Sequence, residues 1–190
     1  MVSVDAAAGK TIRDSQLAAS ASLNKDSPER SHGESLLEEF RSDDVWFLTF
    51  SAATQPAMEA YLAALDVVPD TLLEFFFVNS PVVAGGPKAG DTLREGHKVY
   101  MIQRDLPGVG LLPHEELVKI SRGSQAIVEK LGDGVEWDHS YLTAEGTYCV
   151  YRTSDPALIQ EHAKLAGIPA DPVTEVEQAI HFLDFAQVAQ

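Results

Sequence analysis

Two histidines stand where an apolar residue is expected. His139 lies between Trp137 and Tyr141 in the segment VEWDHSYLTAEGTYCVY, Val135–Tyr151, and His162 lies among Leu158, Ile159 and Ala166. Alternation along a strand points Val135, Trp137, His139 and Tyr141 one way, and Glu136, Asp138, Ser140 and Leu142 the other. The first set is the more apolar and is expected to face the core. On a helix, Leu158, Ile159, His162 and Ala166 share one stripe. Both imidazoles are therefore expected in one layer between a sheet and its helices. Three chemistries are open to such a pair. The rings can be hydrogen-bonded into the core, through a backbone carbonyl or a tyrosine. They can line a polar-ligand or proton-transfer pocket, or they can ligate a metal ion. A buried pair disfavours double protonation, so at least one imidazole is expected to titrate low. The candidate ligand-binding residues are His139, His162, Tyr141, Trp137 and Tyr148, with His139 and His162 as candidate metal ligands. No residue is marked as catalytic.

Other groups carry less. Cys149 reads as a core thiol, because no basic residue adjoins it. The PGVG stretch lacks the glycine spacing and lysine of a phosphate loop and reads as a turn. Glu136 and Asp138 share a strand face and read as a solvated or dimer-rim pair. His32, His97, His114 and His181 fall near element ends and receive no role.

These residues need elements to hold them. KVYMIQRDL reads as a strand, and Pro113 opens a helix with Glu115 and Glu116 in its first turn, where the dipole favours them. Leu117, Ile120, Ser124, Ile127, Val128 and Leu131 are expected to form its buried stripe. GDG ends that helix, strands over 135–142 and 146–153 form a hairpin, and Asp155 and Pro156 open a second helix. VTEVEQAIHF supplies the last strand. The order β-α-β-β-α-β predicts an α+β fold for residues 96–190, a ferredoxin-like antiparallel sheet with two helices on one face. The bare face of such a sheet is expected to find a cover, either a second copy in a homodimer or larger assembly, or the rest of the chain.

Residues 34–95 read as an N-terminal α/β extension and linker. ESLLEEF suggests a short helix, DDVWFLTFSA a strand, and TQPAMEAYLAAL a helix capped near Thr54 with Pro56 in its first turn. TLLEFFFVNS suits a strand or a helix. Residues 1–33 have almost no large apolar side chains and are expected to be a flexible or partner-docked arm.

The motifs RDLPGVG, WDHSY, TYCVY and EHAKLAGIPADPV, in that order, resemble the family of small domains of unknown function numbered 4242. The resemblance covers residues of about 97–185. It implies a ferredoxin-like dimer and, from a nickel-binding member, a nickel ion or another divalent transition metal as cofactor. His139 and His162 fall where that family carries histidines. Where the nickel-binding member has a further histidine after the helical AG, this chain has Ile168.

Composition narrows the function classes. The net charge is −15 over 190 residues, with −8 in residues 1–95 and −7 in residues 96–190, so no basic patch stands out. A nucleic-acid partner demands clustered Lys and Arg, and an anionic membrane surface demands the same. One cysteine excludes an internal disulfide and a multi-cysteine metal site. No apolar run approaches the ~20 residues a bilayer requires, and no secretory signal is legible. A cytoplasmic location is expected. Three functions remain: a small-ligand or metal-binding protein using a His139/His162 pair, a structural subunit docking through residues 1–95, or an enzyme with a buried histidine as general base.

Overall fold

The computed structural model describes residues 1–22, 34–90 and 92–181. Two compact units divide it: Met1–Glu74 with a short segment from Gln178, and Phe75–Glu177.

In the first unit the order is β1 (Val2–Asp5), α1 (Ala6–Ser22), β2 (Ser35–Arg41), β3 (Val45–Ser51), α2 (Gln55–Ala64) and β4 (Thr71–Leu72). The strands lie β4-β1-β3-β2, and the β1–β3, β1–β4 and β2–β3 pairs are antiparallel. Of residues 1–33, expected as an arm, 2–22 are therefore a strand and a helix, and 23–33 lie outside the described residues. Small side chains make this possible: Gly9 of α1 lies so close to the Trp46 indole that a Cβ there would sit 2.6 Å from the ring. Val2, Val4 and Ile12 are buried with Leu48, Phe50, Met58 and Leu62. ESLLEEF is strand β2, not a helix. Its charges misled the helical reading, because Glu39 is fully buried and meets Arg41 and, at 3.9 Å, Arg13. Thr54 caps α2 as expected, its hydroxyl accepting from the Ala57 N–H at 3.2 Å.

In the second unit the elements are β5 (Phe75–Asn79), β6 (Lys98–Asp105), α3 (His114–Leu131), β7 (Val135–Thr143), β8 (Gly146–Thr153), α4 (Ala157–Ala166) and β9 (Val173–His181). Their strand order is β9-β6-β8-β7-β5, with each neighbouring pair antiparallel. The unit thus begins at Phe75 rather than near residue 96, because β5 pairs with the edge of β7. Tyr100, Ile102, Val135, Trp137, Cys149 and Tyr151 form the sheet side of the core, and Val128 of α3 with Ile159 and Ala163 of α4 close it. Burying each of the larger side chains contributes about 1.5–3 kcal/mol. The stripe of α3 follows expectation at Leu117, Ser124, Ile127, Val128 and Leu131, which are buried or half-buried, but Ile120 is 41% exposed and Ser121 is buried in its stead. No helix among the described residues is long and apolar enough to cross a membrane.

Candidate functional site

His162 sits one turn inside α4, between buried Ile159 and Ala163, and is 1% exposed. Its Nε2 lies 3.1 Å from Ser124 Oγ on α3 and 3.3 Å from the Tyr151 hydroxyl on β8, with the two rings tilted at a centroid distance of 5.2 Å. Arg104 reaches the same layer. It ends the β6 row Tyr100, Ile102, Arg104, and donates to the Pro169 carbonyl. Gly146 lets the start of β8 close on the end of β6, since a Cβ there would lie 2.0 Å from the Arg104 carbonyl oxygen. Burial, seconded by the Arg104 charge, lowers the His162 pKa to about 4. Burial likewise pushes the Tyr151 phenol up, so it stays protonated. The result is a neutral imidazole locked among a phenol, a hydroxyl and a guanidinium. It is a core histidine hydrogen-bonded to a tyrosine, although His162 Nδ1 and Arg104 Nη2 are buried without a hydrogen-bond partner.

His139 is elsewhere. β7 pairs with β8 as Val135↔Thr153, Glu136↔Arg152 and Trp137↔Tyr151, then slips to His139↔Val150, Ser140↔Cys149 and Tyr141↔Tyr148. The slip is a β-bulge at Asp138, which adds one residue to β7 and puts two successive side chains on the same face. Trp137 thus packs with Tyr151 toward the helices, while His139 and Tyr141 share the opposite face with Val150 and Tyr148. The expected row of Trp137, His139 and Tyr141 is broken after its first member. The sheet therefore separates His139 from His162, and the two do not form a pair.

On its own face His139 is fully buried, with its ring edge-on to Tyr141 at 5.0 Å. Its Nδ1 lies 3.1 Å from Asp138 Oδ1. Asp138 Oδ2 receives a hydrogen bond from Arg152, whose guanidinium also donates to the Gly90 carbonyl and stands 3.8 Å from Glu136 Oε2. Asp138, buried, and Glu136, half-buried, are thus acidic partners of Arg152, not a solvated rim.

That polar chain ends at a cleft of about 290 Å³. β5 pairs with β7 only over Ser140–Thr143, so the Val135–Trp137 stretch lies beyond its reach. The cleft opens beside that stretch, between the C-terminal half of α3 and the loop following β5. Pro81, Pro87, Val128 and Trp137 give it apolar walls, and Gln125 and Glu136 bring polar groups. Gln125 Oε1 and Glu136 Oε2 are both buried without a hydrogen-bond partner. Trp137 was legible as a candidate. Arg104, Arg152, Gln125 and Glu136 were not singled out as site residues, because charged and amide side chains read as surface. The polar run Asp138-His139-Ser140 was the available sign that strict alternation fails there.

Over residues 100–176, less than half of the chain, the sequence matches the family model described as nickel responsive protein SCO4226-like. No curated protein matches. Among solved structures, a doubly substituted chlorite dismutase from Candidatus Nitrospira defluvii is 12% identical, with 100% of this chain and 93% of that chain covered and a TM-score of 0.46. The imidazole complex of chlorite dismutase from the same organism is 11% identical, with coverages of 93% and 85% and a TM-score of 0.44.

Nickel in such a family asks for several nitrogen or oxygen donors converging on one point. The residues described here do not fit it. No group of three or more His, Cys, Asp or Glu among them is placed to hold a metal ion. The sheet divides His139 from His162, Arg104 sets a positive charge near His162, and Ile168 packs against the apolar core.

Proposed function

We propose that this chain is a small-ligand-binding protein, that its second unit is a ferredoxin-like domain, and that the ligand enters the cleft beside Trp137. The antiparallel order β9-β6-β8-β7 with crossover helices α3 and α4 supports the architecture. The cleft carries the functional reading. It combines apolar walls with a few polar groups, as small-molecule sites do, and Glu136 connects it through Arg152 and Asp138 to the buried ring of His139. In this reading Trp137 contacts the ligand. His139 and Tyr141 position the Asp138–Arg152 pair from behind, and His162 serves the fold.

The test is fragment binding by NMR on the full chain, with small aromatic amines, alcohols and acids. Binders are expected to shift the Trp137 indole N–H saturably, and Ala89→Trp, which fills the cleft, is expected to abolish the effect. If no fragment moves that resonance, or if Ala89→Trp binds as well as the parent, the reading is wrong.

Nickel is the second reading, favoured by the family match over residues 100–176. It lacks a converging donor set, so we do not assign the ion to His139 and His162.

A further inference from the structure

The polarity of the cleft says what kind of molecule it takes. Resting on the ligand-binding reading, we propose that the occupant is a small organic amine, its ammonium group held by Glu136 and Gln125 and its apolar body laid against Trp137, Val128 and Pro87.

Every buried, unpartnered polar atom on the lining is an acceptor. Glu136 uses Oε1 for the Gly90 N–H at 3.0 Å, but Oε2 has no hydrogen bond, the nearest Arg152 nitrogen standing 3.8 Å away. Gln125 uses Nε2 on Glu129 Oε1 at 3.1 Å and leaves Oε1 unmet. No buried nitrogen on the lining is left without a partner among the described residues. Arg94, a basic lining residue, is engaged with Asp133, donating to its carbonyl at 2.9 Å. The charged lining residues are Lys88, Arg94, Glu129, Asp133 and Glu136, one more acidic than basic. An unmet buried acceptor costs free energy that a donor restores, and a charged donor restores the most. A primary ammonium carries three donors and no acceptor, which matches the deficit. An oxyanion would bring acceptors to acceptors.

The test is calorimetric titration of the full chain at neutral pH with benzylamine, benzyl alcohol and benzoate, which share one ring and differ in the head group. Benzylamine is expected to bind once per chain, at least about tenfold more tightly than benzyl alcohol, with benzoate weakest. Glu136→Gln is expected to reduce the benzylamine affinity about tenfold or more. Because Glu136 also supports Gly90 and Arg152, Gln125→Met is the second variant, with an expected loss of roughly threefold to tenfold. If benzyl alcohol or benzoate binds as tightly as benzylamine, with the loss in Gln125→Met retained, the amine assignment fails while the cleft stands as a ligand site. If none of the three binds saturably, or both variants bind benzylamine unchanged, the cleft itself fails as the site.

Discussion

Apart from the extra edge strand β5 of the second, the two units share an element order and a strand order, yet they fill the layer between sheet and helices differently. The first packs Val4, Ile12, Leu48, Met58 and Leu62 there, and its tyrosine, Tyr61, meets Gln16 Nε2 at 2.8 Å. The second places His162, Tyr151, Ser124 and Arg104 in the corresponding layer. The first unit also buries polar groups on that face, Glu39 with Arg41 and Arg13 and the Gln16–Tyr61 pair, so the topology does not dictate which polar groups stand there. Buried polar groups cost stability unless satisfied; the first unit satisfies them as an ion group around Glu39, the second around a neutral imidazole hydrogen-bonded to a phenol and a hydroxyl. The same unit carries the second polar chain, from His139 to the cleft, on the other face of its sheet.

The apolar parts of the two layers should respond alike. Trp137→Ala and Leu48→Ala each remove a fully buried side chain and are expected to cost about 3–5 and 2–5 kcal/mol in denaturant unfolding. A loss below about 1 kcal/mol in either would break the comparison at its base.

The polar parts should respond differently, and pH shows it. His162 titrates near 4 in the fold against 6.5 when exposed, so between these values the unfolded chain binds more protons. Its contribution is complete above pH 6.5 and is lost as pH falls toward 4, a loss on the order of 3 kcal/mol. Stability measured from pH 7 to 4 should therefore fall more steeply in the parent than in His162→Leu. Parallel curves would show that the ring is not buried neutral.

Tyrosine truncation sharpens the contrast further. Tyr151→Phe leaves Ser124, His162 and Arg104 without their shared hydroxyl, for an expected cost of about 2–3 kcal/mol, whereas Tyr61→Phe removes one hydrogen bond of a Gln16 amide that keeps its bond to the Glu34 carbonyl, and should cost about 1 kcal/mol. Equal losses would mean that the two hydroxyls are equivalent. Least affected should be Ile120→Ala, at 41% exposure, with a change within about 0.5 kcal/mol.

Much of the second unit was legible, and the reasons are local. The Glu-Gly turn, the period-two hairpin strands and the proline-led helix starts are written in neighbouring residues. What escaped notice depends on distant contacts. α1 is built from alanines and Gly9, whose value appears only beside Trp46. Glu39, Arg104 and Arg152 are buried because each finds a partner, which their types alone do not reveal. The bulge at Asp138 matters most for the site. A single extra residue in β7 carries His139 and Tyr141 through the sheet, and period-two counting assumes that no such residue exists.

The separation of the two histidines is best tested by nickel titration of the full chain, His139→Phe and His162→Phe, with stoichiometry read by calorimetry. The structure predicts no site that depends on both rings, so any binding lost in one variant survives in the other. One stoichiometric ion, abolished equally by either substitution, would contradict it.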